Sequence, residues 1–273
     1  VQDILDLVEW ANGDATTTWG RVRAEAGHPG PFNLKYIGIG NEDMITPVFK
    51  ERFKMIYEAL RRHHPEITVI GTVGPYYDGS DYTEGWSFAS ELGVAMVDEH
   101  YYVEPGWMIN NQHFYDGYDR SKPKVYLGEY AAHLPNRANN LETALTEALW
   151  LANCERNGDV VAMTSYAPLL SNKKHSNWDP DMVYFTNDEV TLTPGYYVQQ
   201  MFGTAPGKAI LPAEIGFDGD VPQDAMKRVA GSAVEGENGS IIVRLVNLLP
   251  VPASVALTLA DGKYESAEIV TFA

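Results

Sequence analysis

A single cysteine, Cys154, is all the thiol in 273 residues. No internal disulfide can form, and no CxxC or Cys/His cluster is present to hold a structural zinc. No run of about 18 uninterrupted apolar residues occurs, which excludes a membrane-spanning helix. Positive charge is scarce: 20 Lys and Arg stand against 37 Asp and Glu, a net charge of −17 that repels a polyphosphate backbone. Nucleic acid and membrane are therefore not expected partners. No GxGxxG or GxxxxGK[ST] follows an apolar run, and GxSxG is absent, so a nucleotide-phosphate loop and the hydrolase nucleophile elbow are both missing. What remains is a composition of 45% apolar and 21% charged residues, enough to build one large domain with a smaller companion. Sixteen Tyr and six Trp suit stacking on flat apolar faces, sugar rings among them, and serve ordinary cores equally well.

The chain opens with VQDILDLVEWANG, where a secretory leader would show a basic start and an apolar core. Ile4, Leu7, Val8 and Ala11 recur at helical spacing and Asn12-Gly13 supplies a stop, so this reads as a helix within a protein. The expectation is a fragment or processed piece, whose compartment the N-terminus does not reveal. Short apolar runs then alternate with helical periods. Strands are expected at Lys35 to Ile39, Ile67 to Gly71, Met96 to His100, Lys124 to Gly128 and Val160 to Tyr166. Helices are expected at Pro47 to His64, Trp86 to Leu92, from Leu141 to a stop at Gly158, and Pro194 to Phe202. Five strands separated by helices or long loops imply a parallel sheet, as in a (β/α) barrel or an open doubly wound sheet; the latter lacks its phosphate loop. After about Gly203 the pattern becomes all-β, with strands expected at Ser240 to Asn247, Ala253 to Leu259 and Tyr264 to Phe272.

Two carboxylates stand at strand ends: Glu42 in Gly38-Ile-Gly-Asn-Glu42 and Glu129 in Tyr126-Leu-Gly-Glu129. A charge leaving a packed sheet must be paired, metal-bound or functional. Taken singly, each could cap a helix or pair with an Arg. Taken together at the C-terminal edge of one parallel sheet, they match what glycosidic hydrolysis needs: an acid for the leaving oxygen and a carboxylate that attacks or activates water.

The run from Gln2 through Gly13, Trp19-Gly-Arg-Val-Arg-Ala-Glu-Ala-Gly-His-Pro29 and Phe32-Asn-Leu-Lys-Tyr-Ile-Gly-Ile-Gly-Asn-Glu42 resemble the family 51 glycoside hydrolases, the α-L-arabinofuranosidases. Glu99-His-Tyr-Tyr102, Val125-Tyr-Leu-Gly-Glu129, Ser165-Tyr-Ala-Pro-Leu-Leu-Ser-Asn172 and Trp178-Asp-Pro-Asp-Met-Val-Tyr-Phe185 follow in the same order as in that family. The resemblance covers most of residues 1 to 203. It implies strands four to eight of a (β/α)8 TIM barrel over residues 1–203, followed by an incomplete, jelly-roll-like β-sandwich over 204–273. It implies a retaining, exo-acting enzyme without cofactor or metal that releases arabinose from arabinan or arabinoxylan side chains or oligosaccharides. Glu42 is then the acid/base and Glu129 the nucleophile. Asn41 binds the sugar 2-hydroxyl, His100 and Tyr102 belong to the His-x-Tyr of the sixth strand, and Trp178 walls the sugar site. Strands one to three would come from an upstream half of the same enzyme, and the family's frequent oligomers leave a homo-oligomer open.

Blander readings stand beside these. Asn41 also suits a tight turn, His100 a hydrogen-bonded core position, and Trp178 a cover for the barrel mouth. His63-His64 suits the negative end of a helix, and Cys154 a buried structural thiol. A β-xylosidase or endoglucanase of the same clan would share the Glu pair, and a carbohydrate-binding module without catalysis would not need it.

Overall fold

The computed structural model describes residues 1–260 and 266–272. The chain opens with helices α1 (Gln2–Asn12) and α2 (Thr18–Glu25), followed by β1 (Tyr36–Ile39), α3 (Pro47–His63), β2 (Thr68–Thr72), α4 (Ser80–Leu92) and β3 (Met96–Val103). Next come α5 (Pro105–Asn110), a 3₁₀ turn at Phe114–Gly117, β4 (Lys124–Ala132), α6 (Leu141–Arg156) and β5 (Val161–Tyr166). The remainder holds β6 (Leu170–Asn172), β7 (Val183–Phe185), β8 (Val190–Leu192), α7 (Pro194–Gly203), β9 (Ala209–Leu211), α8 (Gln223–Met226), β10 (Val229–Glu235) and β11 (Ile241–Asn247).

Strands β1 to β5 form one sheet in sequential order. β1 runs parallel to β2, with Tyr36 opposite Thr68, and β2 runs parallel to β3, with Ile70 opposite Met96. A helix returns the chain between successive strands, which is what parallel neighbours require. The helices begin where the sequence supplies caps. Thr46 accepts from Phe49 N–H ahead of Pro47, Thr193 accepts from Tyr196 N–H ahead of Pro194, and Asn140 and Thr143 close a reciprocal capping box on α6. Arg61, Arg62 and His63 occupy the last turn of α3, where cations meet the negative end of the helix dipole. Phe53, Tyr57 and Leu60 bury one face of α3, and Val8 and Ala11 one face of α1.

The chain divides into two compact units. The first holds Val1–Tyr101, Asp119–Gly128 and Ala162–Ser165; the second holds Tyr102–Tyr118, Glu129–Val161 and the chain from Tyr166. In the second unit α6 is buried along most of its length, Cys154 included. The antiparallel sheet β11-β10-β9 lies against α6, pinned by Glu155, whose Oε1 accepts from Arg244 Nη1 at 2.6 Å and whose Oε2 accepts from the Ser232 hydroxyl at 2.5 Å.

Several expectations need correction. Residues 253–259, expected as a strand, have no regular structure, and neither do 266–272 of the strand expected to end at Phe272; Tyr264 lies outside the described residues. β10 was not expected, because its inward positions are Ala230, Ser232 and Val234, two of them too small or polar to register as an apolar alternation. α4 begins six residues before Trp86, since Asp81 at its start holds Ile45 N–H instead of continuing a loop. β3 and β4 run on to Val103 and Ala132, past the expected ends at His100 and Gly128, and His133 N–H donates to Val103 C=O at 2.8 Å just beyond them.

Candidate active site

In the first unit the chain leaves β1 through Gly40, whose φ of 88° puts it where a side chain does not fit: a Cβ would lie 2.7 Å from both Asp43 Oδ2 and Thr72 Cγ2. Asn41 N–H donates to Asp43 Oδ2 at 2.7 Å, Glu42 N–H donates to Thr72 Oγ1 at 3.1 Å, and Glu42 itself takes a left-handed φ of 55°. A non-glycine residue there carries backbone strain on the order of 1 kcal/mol, which the two side-chain hydrogen bonds hold in place. Glu42 is half-buried, with its Oε1 3.0 Å from Nδ1 of the buried His100. His100 Nε2 in turn lies 3.1 Å from Asp98 Oδ2. Asn41 is exposed. Tyr101, between the two outward positions of the His-x-Tyr, is fully buried with its ring edge-on to Tyr77.

In the second unit Glu129 accepts a 2.6 Å hydrogen bond at Oε2 from the Tyr102 hydroxyl. The Tyr102 ring stacks on His133, with centroids 4.9 Å apart and planes 9° from parallel. Trp178 tilts against both rings, at 5.3 Å from Tyr102 and 5.9 Å from His133, and the Arg137 guanidinium lies 5.7 Å over the indole. Arg137 Nη1 also contacts His133 Nδ1. Burial first, and then this guanidinium, push the His133 imidazole down to about 4, so it is neutral at ordinary pH and can accept from Arg137. Trp178 remains 44% exposed and packs against the Tyr102 ring whose hydroxyl binds Glu129.

Behind β4, Glu147 on α6 is fully buried and accepts Ala132 N–H at 3.0 Å through Oε1, while Oε2 has no partner among the described residues. Burial pushes its carboxyl up to about 8 against the lowering effect of that N–H. Asn139 ties three segments together: Nδ2 donates to Tyr166 Oη at 3.3 Å and to Asp181 C=O at 3.2 Å, and Oδ1 accepts Gly195 N–H at 3.2 Å.

The structure thus brings Glu42 to His100, and Tyr102 to Glu129 and Trp178. Asp98, His133, Arg137, Asn139 and Glu147 were missed in the sequence. Asp98 had a signal, since it sits two residues before His100 on the same face of β3. The other four lie in or behind a loop whose conformation no periodicity announces.

Residues 1–120 match the family described as the alpha-L-arabinofuranosidase 1 domain, and residues 114–271 the alpha-L-arabinofuranosidase C-terminal domain. An extracellular exo-alpha-L-arabinofuranosidase of Streptomyces chartreusis is 43% identical over 221 residues, 81% of this chain and 26% of that protein. Alpha-L-arabinofuranosidase 2 of Arabidopsis thaliana is 34% identical over 212 residues, 77% of this chain and 30% of that protein. Among solved structures, the arabinose-bound MgGH51 α-L-arabinofuranosidase aligns with a TM-score of 0.75 at 25% identity, over 90% of this chain and 39% of that one. The arabinose complex of the Thermotoga maritima α-L-arabinofuranosidase aligns with a TM-score of 0.67 at 17% identity, over 90% of this chain and 58% of that one. The fold is that of a TIM barrel followed by a C-terminal domain. The chain spans between a quarter and a third of the length of these two curated relatives, and it belongs to the family 51 α-L-arabinofuranosidases.

Proposed function

We propose that this chain supplies both catalytic carboxylates of a retaining, exo-acting α-L-arabinofuranosidase that releases arabinose from arabinan or arabinoxylan side chains or their oligosaccharides. Glu129 is the nucleophile and Glu42 the acid/base. The observation that carries the reading is the 2.6 Å hydrogen bond from Tyr102 to Glu129, since a phenol that holds one oxygen of a carboxylate aims the other for attack. In the first step the other oxygen of Glu129 attacks the anomeric carbon as the glycosidic bond breaks, and Glu42 gives its proton to the departing oxygen. In the second, Glu42 takes a proton from water as that water displaces Glu129. Asn41 bonds the 2-hydroxyl of the arabinose, a contact that tightens in the oxocarbenium-like transition state. His100 contacts Glu42 and Trp178 supplies an apolar wall.

In this reading β1 to β5 are strands four to eight of the barrel, residues 1–203 are its second part, and residues 204–273 belong to a jelly-roll-like β-sandwich. The covered share of the relatives supports an upstream half that brings strands one to three and further sugar contacts. Five strands alone do not close a barrel.

The test is made in the full-length enzyme with aryl arabinofuranosides. Glu129→Ala should abolish turnover of even activated substrates. Glu42→Ala should retain far more activity when the leaving group needs no proton, and azide should restore much of the rate. The opposite pattern would reverse the two roles.

A further inference from the structure

His100 is 2% exposed and lies between two carboxylates, with Nδ1 3.0 Å from Glu42 Oε1 and Nε2 3.1 Å from Asp98 Oδ2. A neutral imidazole carries one N–H and donates to one of these partners; the other contact then needs a carboxyl proton aimed at the ring. The imidazolium donates to both. Asp98 is held by the sheet itself, because it sits on the same face of β3 two residues before His100 and its carbonyl accepts Val73 N–H at 3.2 Å. Its Oδ1 is buried and makes no hydrogen bond among the described residues. That oxygen occupies the place where a side chain on Gly128 would be: a Cβ there would lie 2.0 Å from Asp98 Oδ1. The residue immediately before Glu129 therefore has no side chain because Asp98 fills the space.

We infer, resting on the assignment of Glu42 as acid/base, that Asp98 is a positioning residue for the catalytic acid. It holds His100 as a double donor, so Glu42 Oε1 is engaged as an acceptor and the carboxyl proton resides on Oε2. Oε2 makes no hydrogen bond with the described residues and is the oxygen that reaches the leaving group. When the glycosidic bond breaks, the Oε2 proton passes to the departing oxygen, and the new carboxylate is met by the N–H already in place. When water attacks, Oε2 takes the proton back. No proton leaves His100 or reaches Asp98 in either step. Without Asp98, nothing on the far side of the ring fixes a proton on Nε2, and Nδ1 can then act as an acceptor for the proton that should go to the substrate.

The experiment uses the full-length enzyme and a series of arabinofuranosides with leaving groups from dinitrophenol to an alkyl alcohol. Asp98→Asn should slow the alkyl substrates about 10- to 100-fold while dinitrophenyl arabinofuranoside stays within about threefold, because only poor leaving groups need the proton. Gly128→Ala removes no functional group and should give the same selectivity by displacing Asp98; it decides the matter if Asp98→Asn fails to fold. An equal slowing of every substrate, or no slowing of any, would overturn the inference. Glu42→Ala run in parallel separates the two readings. If it shows the leaving-group dependence and the Asp98 and Gly128 variants do not, Asp98 has no such role; if it shows none, the acid/base assignment itself falls.

Discussion

Tyr102 donates its hydroxyl proton to Glu129 across 2.6 Å while its ring lies flat on His133, 4.9 Å away. A hydrogen bond to an ionised carboxylate contributes about 1.5 to 3 kcal/mol. Tyr102→Phe keeps the stack and removes the bond, so kcat should fall roughly 10- to 100-fold with thermal stability nearly unchanged. Steady-state kinetics beside a melting curve check both halves of this expectation.

Trp178 offers an exposed indole face backed by Tyr102, His133 and the Arg137 guanidinium. If it walls the sugar site as proposed above, its removal takes contact area from the substrate and little from the core. Trp178→Ala should raise KM on oligosaccharides about tenfold with a smaller change in kcat, and the folded protein should melt close to the parent. A collapse in stability with KM unchanged would make the indole a lid on the fold.

Retention has a direct readout. With methanol as a competing acceptor, a covalent intermediate on Glu129 is intercepted from the face that water uses, so the product should be methyl α-L-arabinofuranoside. Proton NMR of the early reaction mixture identifies the anomer, and the β anomer would exclude double displacement.

Stability should decline toward both ends of the pH range through two buried groups. Glu147 is raised from an ordinary 4.5 to about 8 in the fold, so the native state holds a proton the unfolded chain has lost. Its contribution is complete below pH 4.5 and disappears as pH rises through 8. His133 is lowered from 6.5 to about 4, so its contribution is present above pH 6.5 and disappears as pH falls through 4. Urea midpoints measured from pH 5 to 9 should fall on the alkaline side for the parent, and Glu147→Gln should flatten that limb.

Glu155 and Arg244 meet at 2.6 Å with side chains only 17% and 9% exposed. Removing one partner strands a buried charge, so Arg244→Ala should cost about 3 to 5 kcal/mol. Glu155→Gln combined with Arg244→Met should recover most of that loss, which a double-mutant cycle by denaturant unfolding would show.

The βα alternation was legible because apolar runs, helical stripes and caps such as Thr46-Pro47 and Thr193-Pro194 are local signals. Glu42 and Glu129 were legible for the same reason, being charges at the ends of apolar strands. The packing of Asp98 against Gly128 was not, since what joins them is a shared volume between neighbouring strands that neither stretch encodes alone. Nor was β10, which packs through Ala230, Ser232 and Val234 where close approach matters more than hydrophobicity. The expected strand at 253–259 failed in the other direction: alternation shows which face a strand would bury, and the residues there find no partner among those described.

The φ of 55° at Glu42 sets a standing conflict between folding and selection. Glycine would sit in that conformation without penalty, and so, nearly, would asparagine. In the acid/base role proposed above, it is the need for a carboxylic acid that keeps glutamate there. A gene copy released from turning over substrate should lose this residue early and gain a little stability as it does so, while the neighbouring Thr72 and Asp43, which merely hold the turn, persist. Glycine or asparagine at position 42 in a relative with the surrounding turn intact would mark a lineage that kept the fold and gave up the reaction.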